Sequence, residues 1–497
     1  MARARLLYVI VFVVGAASLG AEIAAARLMA PFFGASTIVW ANTIGVVLVS
    51  LSFGYWLGGR LGDRHPQLRG LCLVVVIAAV LLAVVPFVAR PFFGVAVDAL
   101  DSVSAGAFIG SLIAVLALVA IPVILLGACS PYAIRLAVPD VEHSGRVAGR
   151  LYAVSTAGSL VGTMLAALVL IPFVGTQRTF LSFALALAVV AVPGLGRRYV
   201  LVPALAVVAI ALPVGTLKSA GDGRVLYEGE SALQYIRVVE EPDGDRVLEL
   251  NEGQATHSLY RPGSYLTGGY WDGMLTAPFA ALGRTPQRVA ILGNAAGTTA
   301  RAYGRFFPEA ELHGVEIDPK LEEIGRRYFD MDSAEHLSVF TEDARPWLRR
   351  SSGGYDVIAV DAYRQPYIPF YLATREFFDL ARERLAPGGV VVVNVGHPDG
   401  SDELETVIGR TMADVFESVA RDPLDSTNTL LAGSEAPISP DRLDSASEDL
   451  PGPLEDLAQE QSRRLERRLP GGMVYTDDRA PVEWLVDRSI LGYAAEG

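Results

Sequence analysis

Seven apolar runs follow one another in the first 218 residues, and they constrain the fold more than any other feature of the sequence. Each run has roughly the 17–25 residues that a helix needs to cross the hydrocarbon core of a membrane. One such run fits a buried helix of a soluble protein, but seven in succession predict a multi-pass, all-α membrane domain of about seven transmembrane helices. The runs are residues 6–29, 38–57, 71–88, 105–129, 151–174, 179–195 and 199–217.

Charge divides the chain near residue 218. Residues 1–218 hold 14 Lys and Arg against 6 Asp and Glu, whereas the remainder holds 27 basic and 48 acidic residues. The second part has the mixed polarity of a water-soluble domain. We predict a transmembrane domain at 1–218, a small β-strand domain at 219–270, a Rossmann-like domain at 271–435, and an acidic linker with a C-terminal segment at 436–497. The charged stretch 455–468 is interpreted as a solvated helix.

Arginines concentrate in alternate loops between the apolar runs. Because cytoplasmic loops carry an excess of Lys and Arg, this pattern predicts a cytoplasmic N-terminus in a protein of the cell membrane. Seven crossings would then place the soluble half outside, and one crossing fewer would reverse that side. The arginines of the cytoplasmic group are Arg3, Arg5, Arg60, Arg64, Arg69, Arg135, Arg146, Arg150, Arg197 and Arg198.

Two polar features stand out in the apolar half. The loop 58–64, Gly-Gly-Arg-Leu-Gly-Asp-Arg, resembles the Gly-x-x-x-Asp-Arg loop of major facilitator transporters, in which glycines allow close helix approach and an Asp–Arg pair joins helix ends. Glu22 is an ionisable group inside the first run, where it is costly unless it has a partner or a function. It forms either a structural pair with Arg27 or a substrate or proton site.

The second half alternates strands with helices. Short strands are expected at 225–227, 235–239 and 247–250, followed by strand–helix units whose strands end near residues 292, 317, 340, 360 and 395. This alternation predicts a doubly wound parallel sheet with helices on both faces. Ligands of such sheets bind at the carboxyl ends of the strands. The residues at those ends are Gly293, Glu316, Asp343 and Asp361.

The residue types at these strand ends suit an adenosine-type ligand. Glycine lets backbone amides and a helix N-terminus approach the ligand closely. The Glu316 carboxylate can accept both ribose hydroxyls, and Asp343 with the Ala344 amide can present an acceptor and a donor to an adenine edge. A phosphate loop of the Gly-x-x-x-x-Gly-Lys type is missing from the sequence, which argues against a nucleoside triphosphatase. The six histidines form no ligand-spaced cluster, so we expect no metal, and we expect no nucleic-acid partner.

These residues look like the spermidine synthase (polyamine aminopropyltransferase) family, including its membrane-fused members. The resemblance covers roughly residues 225–484, and the small β-strand domain argues against an ordinary methyltransferase. The motifs that carry it are residues 231–238, 250–253, 315–319, 342–344, 355–361, 371–389 and 476–483.

The resemblance implies an enzyme that moves an aminopropyl group from decarboxylated S-adenosylmethionine to an amine or polyamine and releases methylthioadenosine. It implies that Asp361 is the proton acceptor, as a carboxylate suits an ammonium nucleophile that must lose a proton. The family is often dimeric, which makes a homodimer an expectation. The residues implied for the co-substrate are Gly293, Gly297, Glu316, Asp343, Ala344 and Gln254, and those implied for the amine are Tyr270, Asp272 and Tyr363.

The sequence also departs from the family pattern near the amine. Ala296 stands where the family has an acidic partner for the aminopropyl amine, and the second Asp of the family's Asp-x-x-Asp-Pro is replaced in a stretch that contains Arg364. Gln254 is close to the family glutamine, but Thr256 holds the matching offset. Two other functions therefore stay open: a membrane sensor or scaffold that binds an adenosyl ligand without turnover, and a transporter with a regulatory α/β domain.

Overall fold

The computed structural model describes residues 2–33, 37–100, 106–138, 140–212, 221–251, 255–363, 368–397 and 399–485. Contacts divide the chain into two compact units. One consists of Met1–Ser219 with Glu228–Ile236, and the other of Ala220–Tyr227 with Arg237–Gly497. The tip of the first β-hairpin thus belongs to the helical unit, and the finer division of the second half stays a prediction.

The first unit is built from helices. In chain order they are α1 (Ala2–Phe33), α2 (Thr37–Arg64), α3 (Leu68–Leu100), α4 (Gly106–Leu118), α5 (Ala120–Ala137), α6 (Ser144–Leu165), α7 (Ile171–Val174), α8 (Thr176–Leu195) and α9 (Leu201–Ala211). A π-helical turn, Ala166–Leu170, joins α6 to α7.

Six stretches of these helices, rather than seven, are long and apolar enough to cross a membrane. The seventh predicted run gives only α9, whose 11 residues fall short of the roughly 17–25 that a crossing needs. Residues 213–220, where that run ends, lie outside the described residues. The six candidate spans among the described residues are Ala4–Phe32, Val39–Arg64, Leu68–Ala89, Ala120–Ala137, Ser144–Val174 and Thr176–Leu195.

Small residues set the closest helix contacts of this unit. A Cβ atom at Gly58 would collide with the backbone of Ala128 on α5, so α2 and α5 approach closely there. Just beyond, Arg135 Nε lies 3.0 Å from the Asp63 carboxylate. The predicted loop 58–64 is the last part of α2 rather than a loop, and Asp63 pairs with Arg135 of α5 rather than with a residue of its own motif, so the resemblance to a transporter loop stays a prediction.

The predicted pair between Glu22 and Arg27 is wrong. Arg27 instead donates to the carbonyl oxygens of Leu233, at 2.6 Å, and Ser231, which lie in the hairpin tip of the same unit. The guanidinium group of Arg27 therefore bonds to backbone oxygens of this hairpin rather than to Glu22.

The second half contains two sheets. The smaller sheet has the order β1-β2-β3-β4, and the larger has the order β12-β10-β11-β9-β8-β5-β6-β7. The strands of the smaller sheet are β1 (Arg224–Glu230), β2 (Tyr235–Glu240), β3 (Arg246–Leu250) and β4 (Thr256–Tyr260). Those of the larger sheet are β5 (Arg288–Leu292), β6 (Glu311–Glu316), β7 (Leu337–Thr341), β8 (Tyr355–Val360), β9 (Leu385–Gly396), β10 (Ser418–Pro423), β11 (Asn428–Ser434) and β12 (Glu466–Arg467).

The larger sheet is parallel where the site lies. Strands β7, β6, β5, β8 and β9 run parallel, whereas β11, β10 and β12 continue the sheet antiparallel. Alternate residues of each strand face two separate hydrophobic cores, so both faces are covered and the predicted doubly wound α/β fold is confirmed. The helices of this half are α10 (Tyr270–Thr276), α11 (Phe279–Leu282), α12 (Thr298–Phe306), α13 (Pro319–Tyr328), α14 (Ala344–Arg350), α15 (Arg375–Arg384), α16 (Glu403–Met412), α17 (Pro440–Ser447) and α18 (Pro453–Arg464).

The stretch 455–468 differs from the solvated helix that the sequence predicts. It forms most of α18, whose face with Leu454, Ala458, Gln461 and Ser462 is buried, and then β12 at the sheet edge. Charged residues occupy the other face of α18, so the prediction is right for one side of the helix only.

Candidate active site

A glycine-rich turn follows β5 and brings the backbone close to the end of β8. Gly293 has a φ of +93°, and a Cβ atom there would collide with the backbone of Asp361. Gly297, with a φ of +92°, precedes α12, where a Cβ atom would overlap the Met331 side chain. Only glycine fits both positions without strain. The turn therefore places the N-terminus of α12 at the carboxyl edge of the sheet.

Glu316 ends β6 directly beside this turn. Its carboxylate accepts hydrogen bonds from the Ala295 amide at 2.9 Å and from the Asp318 amide at 3.0 Å. The residue is 8% exposed, and burial raises its pKa to about 7, although these backbone bonds act in the opposite direction. A hydroxyl donor from a ligand would stabilise the charged form further, because hydrogen bonds to a carboxylate lower its pKa.

Asp343 lies at the end of β7 and caps α14. It accepts a hydrogen bond from the Arg345 amide at 3.0 Å and another from the Tyr371 hydroxyl at 2.7 Å. The Arg345 guanidinium is in turn held by both carboxylate oxygens of Asp477, at 2.7 and 2.6 Å. The C-terminal segment thus fixes the start of α14, where Asp343 and Ala344 lie together as predicted.

Asp361 follows β8 and is surrounded by neutral donors. Tyr270 donates its hydroxyl at 3.1 Å, Asn394 donates its amide at 3.0 Å, and the Trp271 side chain adds a third hydrogen bond. Burial raises the pKa of Asp361 to about 7, while the three donors lower it by a smaller amount. A carboxylate with a pKa near neutrality can accept a proton at physiological pH and release it again.

Two of the three residues predicted for the amine lie around Asp361. Tyr270 bonds to it directly, and the pKa of Tyr363 is raised mainly by burial, with a smaller contribution from the negative charge of Asp361. The hydroxyl of Tyr363 donates to the Asn394 carbonyl oxygen at 2.9 Å and accepts from the Gly396 amide. The ring of Tyr363 is therefore fixed by the backbone of β9.

The third residue, Asp272, has a different environment from the one predicted. It is 3% exposed and accepts hydrogen bonds from the Thr267 amide, the Thr267 hydroxyl and the Gly268 amide at 2.7–3.0 Å. Both oxygens are used by the loop before α10. The predicted contact of Asp272 with an amine is thus replaced by a loop-holding role.

The sequence also singled out Ala296, Gln254 and Arg364. Ala296 is fully buried, and its amide donates to the Ser258 hydroxyl at 3.0 Å, so this position offers no side chain to a ligand. Gln254 and Arg364 lie outside the described residues. Their roles stay predictions.

Trp271 and Asn394 are site residues that the sequence reasoning missed. Trp271 follows Tyr270 on α10, and the two rings have centroids 4.3 Å apart. Asn394 lies on β9, next to β8 in the sheet, and reaches Asp361 across the strand ends. A polar residue within the apolar run of β9 was the available signal for Asn394, as buried polar groups need partners.

The described residues place four polar or glycine positions at one edge of the larger sheet. A glycine turn, a buried Glu and a helix-capping Asp lie on successive strands, and Asp361 faces the same edge of the sheet. Among the described residues, no group of three or more His, Cys, Asp or Glu is arranged to hold a metal ion.

Comparison with known proteins identifies relatives for this half of the chain. Residues 273–424 match the family model of the spermine/spermidine synthase domain. A probable polyamine aminopropyl transferase of Bifidobacterium longum (strain NCC 2705) is 35% identical over 281 residues, which are 52% of this chain and 61% of that protein. The polyamine aminopropyltransferase of Vibrio vulnificus (strain CMCP6) is 32% identical over 191 residues, 35% of this chain and 60% of that protein.

A solved structure of a probable spermidine synthase from Corynebacterium glutamicum ATCC 13032 aligns with a TM-score of 0.40 and 22% identity, over 50% of this chain and 98% of that one. The chain spans about three fifths of the length of the two curated relatives described above.

Proposed function

Because residues 273–424 form a spermine/spermidine synthase domain, we propose that this chain transfers an aminopropyl group from decarboxylated S-adenosylmethionine to an amine. The observation that carries the proposal is the placement of Asp361. Asp361 directly follows β8, its backbone lies against Gly293 of the glycine turn, and burial raises the pKa of its carboxyl to about 7. A base of that strength suits a substrate amine that arrives as an ammonium ion.

The reaction needs one proton acceptor and a fixed direction of attack. The amine loses a proton to Asp361, and its nitrogen lone pair attacks the aminopropyl carbon bonded to the sulfonium. The carbon–sulfur bond breaks, its electron pair returns to sulfur, and the neutral thioether methylthioadenosine leaves. The charge of the sulfonium disappears during the step, so the enzyme contributes mainly by orientation and proton transfer.

The remaining residues would hold the nucleoside. Glu316 would accept the ribose hydroxyls, while Asp343 and the Ala344 amide would bond to the adenine edge. Gly293 and Gly297 would allow the backbone to approach the sulfonium end, and Gln254, outside the described residues, stays a predicted contact of the co-substrate. The bonds of Glu316 and Asp343 to neighbouring amides support these roles, because they orient both carboxylates before a ligand binds.

We further infer that the enzyme is bound to the cell membrane through its first half. Six apolar helices of sufficient length support this, and their outward faces carry large hydrophobic side chains such as Leu160, Leu168 and Phe173. The lipid bilayer would be the partner of that surface. A homodimer stays a prediction.

The experiment that tests the activity uses the full chain, because residues 228–236 pack with the helical unit. Purified protein is incubated with decarboxylated S-adenosylmethionine and a panel of amines, and methylthioadenosine is measured by mass spectrometry. Asp361→Asn should lower amine-dependent release at least about 100-fold, as the loss of a positioned base typically does. It should bind methylthioadenosine as the wild type does.

Asp456→Asn, on the exposed face of α18, is the matched control and should keep full activity. Nucleoside binding without product, for every amine tried, would contradict the proposed transfer and favour the sensor function.

A further inference from the structure

The C-terminal motif, residues 476–483, has no place in the proposed transfer step. Its first residues form a tight turn, in which the backbones of Thr476 and Arg479 bond to each other at 2.9 and 3.1 Å. The Asp477 amide in this turn donates to the Glu376 carboxylate on α15 at 3.0 Å. The turn is therefore fixed to α15, and it holds the Asp477 carboxylate at a defined place.

The Asp477 carboxylate binds the Arg345 side chain of α14. Both of its oxygens accept hydrogen bonds from the guanidinium, at 2.7 and 2.6 Å, and the Thr374 hydroxyl donates to one of them at 2.8 Å. Only 11% of the Arg345 side chain is exposed, and a bidentate pair of this kind contributes more than an ordinary surface ion pair. The hydrogen bond from Arg345 lowers the pKa of Asp477, so this carboxylate is charged at neutral pH.

Arg345 connects the C-terminal turn to Asp343. Its guanidinium also donates to the Tyr371 carbonyl oxygen at 3.0 Å, and the Tyr371 hydroxyl donates to the Asp343 carboxylate at 2.7 Å. The Arg345 amide donates to the other oxygen of Asp343 at 3.0 Å. Arg345 thus fixes Asp343 in two ways, directly through its backbone and indirectly through Tyr371.

These bonds orient Asp343 without using up its capacity as an acceptor. An ionised carboxylate has about four acceptor positions, so each oxygen of Asp343 keeps a second one. The exocyclic amino group of an adenine can bond there well only if the carboxylate is turned toward the edge of the base. A carboxylate that is fixed beforehand loses less freedom when the base binds, so it distinguishes bases with and without the amino group more strongly.

We propose that Asp477 is a positioning residue for adenine recognition, acting through Arg345 on the Asp343 carboxylate. Asp477 supplies the fixed anion that holds the Arg345 guanidinium against the Tyr371 carbonyl oxygen. The Tyr371 ring then carries this constraint to Asp343. This inference rests on the proposed binding of adenine by Asp343, and it adds the C-terminal turn to the nucleoside site.

The first test measures selectivity for the amino group of adenine. Full-length protein is titrated in a calorimeter with methylthioadenosine and with methylthio purine riboside, which has hydrogen in place of that amino group. The wild type should bind methylthioadenosine at least about tenfold more tightly, because the analogue makes no hydrogen bond to the Asp343 carboxylate. Asp477→Asn, which keeps the size of the side chain and removes its charge, should reduce this ratio at least about threefold.

Asp478→Asn is the matched control. Asp478 is the next residue of the same turn, is exposed, and makes no hydrogen bond or ion pair with the part of the chain that the structure describes. Its substitution removes the same charge and should keep the wild-type ratio. A ratio that is unchanged in Asp477→Asn as well would overturn the inference, while the adenine role of Asp343 would stand.

A double-mutant cycle tests the route through Arg345. Arg345→Lys should by itself reduce the ratio as Asp477→Asn does, because one ammonium group cannot hold both oxygens of Asp477 and the Tyr371 carbonyl oxygen in a fixed plane. In the Arg345→Lys background, Asp477→Asn should change the ratio by less than about 1.5-fold, since the two residues act as one unit. Equal effects of Asp477→Asn in both backgrounds would overturn this route.

The two nucleosides also separate positioning from a general effect on the fold. If Asp477→Asn weakens the binding of both by the same factor, Asp477 only supports the fold, and the inference is wrong. A wild type that binds both nucleosides equally would contradict the adenine role of Asp343 and the inference with it. The proposed transfer is measured independently, as amine-dependent release of methylthioadenosine.

Discussion

At the scale of single residues, the hydrogen bonds to Asp361 should control the pH dependence of the enzyme. Its pKa is raised to about 7 by burial and lowered in part by the Tyr270 hydroxyl. The carboxylate is the active form, so kcat/KM should rise with pH through about 7. Tyr270→Phe removes one donor, raises the pKa further, and should move the acidic limb up by about 0.5–1 pH unit, from a bond worth about 1 kcal/mol.

The measurement is a profile of kcat/KM from pH 5.5 to 9 for wild type and variant. Tyr328→Phe is the matched control, as its hydroxyl lies 3.5 Å from the Leu226 carbonyl oxygen and does not bond to Asp361. An acidic limb that stays in place in Tyr270→Phe would show that another group sets it.

The site could be predicted from sequence where a residue's role follows from its place on one element. Glu316 and Asp361 end buried strands, and parallel strands bring their carboxyl ends together, so both positions followed from the alternation of strands and helices. Trp271 and Asn394 could not be assigned in this way, because their bonds to Asp361 depend on how α10 and β9 lie against the end of β8. The environment of Asp272 was not predicted because its carboxylate turns back to the loop at Thr267 and Gly268, a local contact that its place on α10 does not specify.

At the scale of elements, α18 links the sheet edge to α10. Gln461 is 1% exposed, accepts a hydrogen bond from the Thr276 hydroxyl at 2.6 Å, and donates to Asp422 at 2.8 Å. Gln461→Leu would leave these buried groups without that partner. We expect a loss of about 2–3 kcal/mol in the free energy of unfolding, measured as a lower melting temperature of the full chain.

Gln459→Leu, on the same helix but partly exposed and bonded only to Glu455 at 3.5 Å, should change stability by less than about 0.5 kcal/mol. Equal effects of the two variants would contradict the linking role. The buried face of α18 was missed from sequence because its polar Gln461 and Ser462 resemble a solvated pattern. The partners of Gln461 come from β10 and α10, which are distant in the chain.

At the scale of the whole molecule, the number of membrane crossings determines on which side of the membrane the α/β half lies. Among the described residues there are six candidate spans rather than seven, and α9 has only 11 residues. The arginine-rich loops stay in the alternate positions that predict a cytoplasmic N-terminus. With an even number of crossings, the α/β half would lie on the cytoplasmic side, where a nucleoside made in the cytosol is available.

Labelling of introduced cysteines tests this topology, because the two native cysteines, Cys72 and Cys129, are buried among the helices. Glu435→Cys lies in the α/β half and is exposed, whereas Pro91→Cys is exposed just beyond the end of the third span. In intact cells whose outer face is accessible, a membrane-impermeant maleimide should label position 91 and should label position 435 only after lysis. Labelling of position 435 in intact cells would indicate an odd number of membrane crossings. The co-substrate would then have to be exported to reach the α/β half.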